Sequence, residues 1–315
     1  MKKRILGNLE VSAIGVGCMG MSHAAGTPMD MDEAAGVLRE AVDMGYTFFD
    51  TAKNYGFKGD PNHNEKILGK AFQGIRDKVV IASKCGVDFD YAVDPEVPPL
   101  LYDSSRDGIR RSVEGSLKRL NTDYIDLYFQ ARIDPKVEPE EAAETMKELI
   151  QEGKILHWGI SEVDEAYLKR ANAVCPVTAV ENNYNIINRS HEDLIPFLEE
   201  HHIGWVAYGP MFKGLLSGAF KKGVRFARDD WRSRLVNDEN LERYQSLLAY
   251  LSELGKEKEA TSGQIALAWV LRRKPYIVPI PGMRSAERLT ENMRAVEIML
   301  TPDEMKKIDE LSLRD

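Results

Sequence analysis

Long apolar runs are what this sequence most plainly lacks. Of its 315 residues 43% are hydrophobic, enough for a sizeable core, yet no uninterrupted apolar stretch approaches the roughly 20 residues of a membrane-spanning helix. An excess of positive charge is lacking too, with 42 Lys and Arg against 50 Asp and Glu and a net charge of -8. No whole-protein field therefore draws nucleic acid or anionic lipid, although a local basic patch can still hold a phosphate. Cysteine is scarce: Cys18, Cys85 and Cys175 are odd in number and far apart, which fits reduced core thiols better than a disulfide framework or a metal knuckle. Histidine offers no metal site either, because His63, His191, His201 and His202 lack metal spacing with acidic partners on one face. His201-His202 reads as a cap facing a helix dipole, and His157 beside Trp158 as a packed strand residue. Met1-Lys2-Lys3-Arg4 carries the charge of a signal peptide, but the chain breaks off at Gly7-Asn8 before an apolar segment forms, which predicts a cytoplasmic protein. With no linker and no low-complexity segment, residues 1–315 read as one domain.

What is present is an alternation. Short apolar runs occur at Ile14–Met19, Thr47–Asp50, Val79–Ser83, Ile125–Phe129, Leu156–Ile160, Thr178–Glu181, Trp205–Tyr208 and Ile277–Ile280. Amphipathic helical patterns separate nearly all of them: Asp32–Met44, Asn64–Phe72, Ser105–Leu120, Pro139–Glu152, Asp164–Val174, His191–His202 and Ser262–Arg273, with Ser285–Val296 closing the series and Asn240–Lys258 as an extra helix. Eight apolar strands, each followed by a helix, are what parallel strands buried on both faces require, so the pattern predicts a (β/α)8 TIM barrel. A doubly wound sheet is the competitor, but Gly15-Val16-Gly17-Cys18-Met19-Gly20 does not lead directly into a helix. Alternation about Gly7-Asn8 predicts an N-terminal β-hairpin that plugs the barrel bottom. Two long loops, 86–104 and 210–238, belong to the catalytic face and are candidates for substrate and cofactor closure.

Strand ends are where a barrel places its reactive groups. The second predicted strand ends in Asp50-Thr51-Ala52-Lys53-Asn54-Tyr55-Gly56 and the third in Ser83-Lys84-Cys85-Gly86. A carboxylate that holds an ammonium, which in turn lowers a neighbouring phenol from its ordinary value near 10, makes a proton donor that works near neutral pH. Each residue alone is weak evidence, since a buried Asp-Lys pair is often only a satisfied core pair and a Tyr before Gly is often only a turn residue. Together at two successive strand ends they favour function.

These stretches resemble the aldo-keto reductases, and the resemblance runs over essentially the whole chain. It is carried by Gly15–Met21, Phe49–Gly56, Asn64–Ala71, Asp123–Tyr128 and Ile280-Pro281-Gly282, and its flavour is that of a bacterial and fungal branch that begins with a Gly-Cys-Met-Gly-Met run. The resemblance implies a barrel that binds NADPH, extended across its top, to reduce an aldehyde or ketone. It makes Tyr55 the general acid, Lys84 the group that tunes it, and Asp50 the partner of Lys84. Arg284 and Ser285 would meet the 2′-phosphate, at a loop that could hold a phosphate on physical grounds as well. Arg288 would lie against the adenine, with Glu291 and Asn292 on its edge. Tyr208 corresponds to the aromatic that stacks on the nicotinamide, Ser161 and Glu181 to the carboxamide positions, and Met211 through Gly214, with Lys213 in the usual Arg position, to the pyrophosphate loop. Cys18, Met19, Asp50, Gly209, Pro210 and Gly282 complete the expected cofactor lining.

The sequence departs from that family's pattern in one catalytic position. Where Gln-His-Arg-Val-Asp-Pro is usual, it reads Gln130-Ala131-Arg132-Ile133-Asp134-Pro135, so the histidine position is Ala131. The retained neighbours favour an engineered His-to-Ala change, whereas Glu181 in a Gln position, Asn183, Gly209 and Phe212 favour natural divergence. An ionised Glu181 would accept from the carboxamide but could not donate to it, and its charge would favour NADP+ over NADPH. The expectation is a reductase of small carbonyl compounds with impaired or diverged activity. Two alternatives stand beside it: a redox-neutral or oxidative enzyme with retained NADP, and a non-enzymatic nicotinamide-binding module.

Overall fold

The computed structural model describes residues 1–94 and 96–313. An antiparallel hairpin, β1 (Lys3–Leu6) and β2 (Leu9–Ser12), opens the chain, and Leu6 faces Leu9 across its turn. There follow β3 (Val16–Gly17), α1 (Met31–Asp43), β4 (Phe48–Asp50), α2 (His63–Ala71), β5 (Val80–Cys85), β6 (Val87–Phe89), β7 (Leu100–Tyr102), α3 (Arg106–Leu120), β8 (Ile125–Gln130) and α4 (Pro139–Gln151). The second half runs β9 (Ile155–Ser161), α5 (Glu165–Val174), β10 (Ala179–Asn183), α6 (Ile195–Glu200), β11 (Gly204–Tyr208), α7 (Asp238–Arg243), α8 (Gln245–Glu257), α9 (Ser262–Arg273), β12 (Ile277–Ile280), α10 (Ala286–Arg294) and α11 (Pro302–Ser312).

Eight of these strands, β3, β4, β5, β8, β9, β10, β11 and β12, lie side by side in that order and all pair in parallel. A parallel bridge between Gly17 and Gly282, with Gly17 N–H donating to the Pro281 carbonyl at 3.0 Å, joins the first strand to the last. The (β/α)8 barrel is therefore present, and the glycine-rich run that opens β3 serves its closure: a Cβ on Gly17 would stand 2.6 Å from the Ile280 carbonyl oxygen.

Side chains alternate as a closed sheet requires. Phe48, Ala82, Leu127, Phe129, Ala179, Val206 and Val278 fill the interior, while Phe49, Ile81, Tyr128, Trp158 and Trp205 point outward into the helical layer. The hairpin plugs the bottom, because Leu6 and Val11 join the interior cluster. Its approach is so close that a Cβ on Gly204 would fall 2.5 Å from the Leu6 Cα. The helices stop and start where their caps dictate: Asp30, Ser105, Asp164 and Ser285 accept from the first-turn amides of α1, α3, α5 and α10.

Several boundaries differ from the sequence reading. The first strand keeps only Val16–Gly17, since Met19–Met21 curls into a 3₁₀ turn. The pattern over 191–202 divides into a 3₁₀ turn, Glu192–Leu194, and α6, with Pro196 in its first turn. The pattern over 240–258 breaks at Tyr244, whose φ of -95° and ψ of 18° interrupt the helix between α7 and α8. The loop over 86–104 contains the hairpin β6–β7, and α11 was not foreseen although Thr301 and Glu304 form a full capping box at its start. Cys18, Cys85 and Cys175 are free and buried. Among the described residues no cluster of His, Cys, Asp and Glu is built to hold a metal, and no helix is long and apolar enough to cross a membrane.

Candidate active site

The strand ends deliver three ionisable groups to one point at the barrel top. Asp50 closes β4, Lys84 lies one residue from the end of β5, and Glu181 sits in β10; each is no more than 3% exposed. Lys84 Nζ donates to Asp50 Oδ2 at 2.5 Å and to the Thr51 carbonyl at 2.9 Å, and it lies 3.3 Å from Glu181 Oε1. Burial works to discharge Lys84, but the two carboxyl groups outweigh it and hold the ammonium above its ordinary range. Burial pushes Asp50 upward, with Lys84 pulling it back.

Tyr55 follows β4 in a tight turn and stands with its ring 5.2 Å from Lys84 Nζ. A lattice of small polar groups fixes that turn: Thr51 Oγ1 donates to Asn64 Oδ1 at 2.6 Å, Asn64 Nδ2 donates to Ser22 Oγ at 2.7 Å, and Ser22 Oγ donates to the Tyr55 carbonyl at 2.9 Å. Gly56 has to be glycine here, since a Cβ would meet the Asp60 carbonyl oxygen at 2.2 Å. The expected lowering of the Tyr55 phenol is not what results. Burial pushes it up to about 12, and the pull of Lys84 is opposed by Asp50 and Glu181. One cation shared with two carboxyl groups cannot offset desolvation as an unshared one would.

Ala131 directly follows β8, its amide donating to the Cys85 carbonyl at 2.9 Å. Beside it Arg132 donates to the Ala131 carbonyl at 2.6 Å and to Ser161 Oγ at 3.2 Å, and its charge is felt by Tyr55, Glu181 and Tyr208. An imidazole does stand in the mouth, from an unforeseen place. His23, in the loop after β3, lies nearly parallel to Tyr55 with centroids 6.1 Å apart, and it packs on Phe89 at 4.9 Å and edge-on to Trp231 at 5.1 Å. Its Nδ1 is 2.7 Å from the Gly56 carbonyl, which makes Nδ1 the donor and leaves Nε2 a buried acceptor without a partner. Phe89 and Trp231 belong to the two long loops that the sequence marks as closures; His23 and Arg132 carried no spacing signal.

The remaining predicted residues lie on the loops that follow β11 and β12 and at the start of α10. Phe212, Lys213 and Gly214 hold φ of 48°, 56° and 96°, three left-handed residues in succession, a strain that persists where surrounding structure has a use for it. Burial and the nearby Arg234 lower Lys213 while Asp230 opposes them, and the Lys213 Nζ lies 5.6 Å from the Trp231 ring centroid. Gly209 turns the chain at φ 61°, its carbonyl accepting from Asn185 at 3.0 Å. At the start of α10 Ser285 caps the helix by accepting from the Arg288 amide, Arg288 pairs with Glu291 at 2.5 Å, and Thr261 donates to Glu291 at 2.8 Å. Arg284 reaches across to the carbonyls of Ala25 and Thr27, at 2.7 and 2.8 Å. Asn292 is buried behind them. The Cys18 side chain is fully buried and donates to the Val16 carbonyl at 3.5 Å, so only its backbone can face the barrel top.

A model of the Aldo/keto reductase family matches residues 13–313. The chain belongs to this family. It is 35% identical over 308 residues to a probable aldo-keto reductase 1 of Glycine max, covering 96% of this chain and 85% of that protein. Among solved structures, a glycerol dehydrogenase from Gluconobacter oxydans superposes with a TM-score of 0.87 at 28% identity, over 98% of this chain and 94% of that one. An aldo/keto reductase from Klebsiella pneumoniae, solved with NADP and acetate, superposes with a TM-score of 0.76 at 27% identity, over 99% of this chain and 96% of that one. As an aldo-keto reductase the chain keeps Asp50, Tyr55 and Lys84 together at the barrel mouth and brings no histidine to position 131.

Proposed function

We propose that this aldo-keto reductase reduces an aldehyde or ketone to an alcohol with NADPH, Tyr55 giving the proton. The observation that carries the reading is the meeting of Asp50, Lys84 and Tyr55 at one barrel mouth, with Lys84 bonded to Asp50 and beneath the Tyr55 ring. The barrel top suits a dinucleotide: Lys213 is a half-buried cation with no ion-pair partner among the described residues, and Glu181 Oε2 is a buried acceptor with no hydrogen-bond partner among them. Lys213 and Gly214 would hold the pyrophosphate, Ser161, Glu181 and Tyr208 the nicotinamide end, and Arg284, Ser285 and Arg288 the phosphorylated adenosine. The bound cofactor supplies the hydride.

The protein's own residues do the rest. A phenol held near 12 remains protonated throughout the physiological range, so Tyr55 donates a hydrogen bond to a carbonyl oxygen and passes the proton only as negative charge develops there. The ammonium of Lys84 then stabilises the phenolate left behind. Phe89, His23 and Trp231 wall the mouth with rings, which excludes water from that transfer. Without a histidine at position 131 one positioning donor is absent, and the activity is that of a weakened reductase. Burial and the neighbouring Asp50 raise the Glu181 carboxyl well above the carboxylate range, so its charge depends on what occupies the mouth. The test is NADPH oxidation against aldehydes, dicarbonyls, sugars and ketosteroids, with Ala131→His measured alongside. Turnover that rises in the variant supports the reading; no turnover in either protein despite tight NADPH binding overturns it.

A further inference from the structure

Glu181 is a buried acid for which the reaction above has no use as a proton donor. It shares Lys84 with Asp50, so two carboxyl groups and one ammonium stand together, all at least nine-tenths buried. Lys84 spends its short contacts on Asp50 and the Thr51 carbonyl, at 2.5 and 2.9 Å, and leaves Glu181 Oε1 at 3.3 Å. Glu181 Oε2 finds no hydrogen-bond donor among the described residues, and Glu181 lies within hydrogen-bonding reach of Asp50. Were both acids ionised, the cluster would hold an excess negative charge out of water with one carboxylate oxygen bare, an arrangement that neutralisation relieves. Two carboxyl groups competing for one cation titrate apart, and the proton settles on the one farther from the cation.

The groups facing Glu181 bear this out from every side. Asp50 comes from β4, Tyr55 from the turn after it, Lys84 from β5, Arg132 from the residues after β8, Ser161 from β9 as its register partner, and Tyr208 from β11. Only Lys84 and Arg132 among them are positive. Lys84 is shared with Asp50, while Arg132 gives its Nη1 hydrogen bonds to Ser161 and the Ala131 carbonyl.

We propose that Glu181 carries the charge-balancing proton of the barrel mouth in the resting protein and releases it when a positive charge settles there, so that oxidised cofactor binds with proton release and reduced cofactor without it. The coupling rests on the reading that a nicotinamide occupies this mouth. Neutral, Glu181 offers the acceptor and the donor that an amide would; ionised, it offers acceptors alone. The oxidised ring is cationic and the reduced ring is not, so only the first compensates for an ionised Glu181. Glu181 is thereby a positioning residue that matches the charge of the site to the redox state of what it holds.

The sign follows from linkage. In the free protein burial and the neighbouring Asp50 hold the carboxyl well above the carboxylate range, and a bound cation lowers that value. Between the lowered value and the free one, affinity for NADP+ rises about tenfold per pH unit while affinity for NADPH is level. The 2′-phosphate, which titrates near about 6, is common to both cofactors and cancels in the ratio of their dissociation constants.

Two measurements on the full chain test this. Infrared titration of the cofactor-free protein is expected to show a buried protonated carboxyl that persists well above the carboxylate range, fades as the pH is raised further and is absent from E181Q. No such band, or one that survives in E181Q and vanishes in D50N, overturns the proposal. Fluorescence titration with NADP+ and NADPH at several pH values is expected to give a ratio of dissociation constants that shifts about tenfold per pH unit toward NADP+, and a level ratio in E181Q. A level ratio in the unaltered protein, or the same slope in E181Q, overturns the coupling. Should E181Q fail to fold, calorimetry of the unaltered protein in two buffers of different ionisation enthalpy reads the same quantity: about one proton released with NADP+ and none with NADPH, equal release with both overturning it. Failure to bind either cofactor sinks the reductase reading and the coupling together, whereas normal binding without the carboxyl band sinks the assignment of Glu181 alone.

Discussion

Two regions of the barrel top, the mouth and the start of α10, are built on opposite electrostatic terms. At the mouth, Asp50, Lys84 and Glu181 are at most 3% exposed and bonded mainly to one another. At the α10 end, Arg284 and Arg288 bond two backbone carbonyls and Glu291 in partly exposed surroundings, where solvent weakens each contact. The first arrangement is rigid and costly to disturb, since removing one charge strands another in a dry interior. The second is cheap to rearrange, because an incoming phosphate trades one solvated partner for a better one. On the proposed function, chemistry belongs to the end that is costly to disturb and cofactor affinity to the end that rearranges cheaply.

Changes at the mouth should therefore have the largest effects. Tyr55→Phe is expected to lower kcat for carbonyl reduction by about 10²–10⁴ while leaving the urea midpoint almost unmoved, since only a hydroxyl at the edge of the mouth is lost. Retention of more than a tenth of the activity would remove Tyr55 from its role. Lys84→Met should cost activity on a similar scale and stability as well, about 3–5 kcal/mol at pH 8, because two buried carboxyl groups lose their only shared cation. That loss shrinks as the pH falls and both acids take up protons, so urea unfolding at two pH values separates it from a simple packing defect.

The mouth was the more legible end in sequence, and the reason is physical. Asp50 and Lys84 terminate strands, and in a barrel a strand end has one direction to face, so adjacency in the sheet implied adjacency in the site. The hairpin, the eight strands and their parallel order were legible for the same reason, through apolar period and glycine stops. His23 and Arg132 were not, because each is placed by a loop whose path depends on contacts far away in sequence: His23 by the Gly56 carbonyl, Phe89 and Trp231. The direction of the Tyr55 shift was misjudged because sequence shows charges and hides burial; Glu181, which shares Lys84, lies 126 positions from Tyr55 in the chain. Nor could spacing show that Arg284 bonds two carbonyls of the loop after β3.

A gain of function at the mouth sharpens the contrast further. Ala131→His supplies a neutral donor at the end of β8 and is expected to raise kcat/KM by about 10²–10³ with a suitable carbonyl. If no substrate in a broad panel responds, the positioning argument for that site is wrong. Glu181→Gln addresses the same region through stability. Burial and Asp50 raise Glu181 in the folded protein above its ordinary value near 4.5, so the folded state holds the extra proton above that value and stability declines as pH rises from it. Urea midpoints of Glu181→Gln measured from pH 5 to 8 should decline less than those of the unaltered protein; parallel declines would mean that Glu181 ionises freely.

The smallest effect is expected at the α10 end. Arg284→Ala removes a guanidinium that already holds the Ala25 and Thr27 carbonyls in place, so the loss divides between a loosened loop and a weaker phosphate contact. Because the site is exposed, the preference for NADPH over NADH should fall only about tenfold, with kcat preserved. That preference should also shrink in the unaltered protein as salt is raised from about 0.05 to 0.5 M, since exposed charge contacts are screened over about a Debye length. A salt-independent preference, or a loss of kcat in Arg284→Ala comparable with that in Tyr55→Phe, would mean that the two ends do not divide chemistry from affinity as their burial indicates.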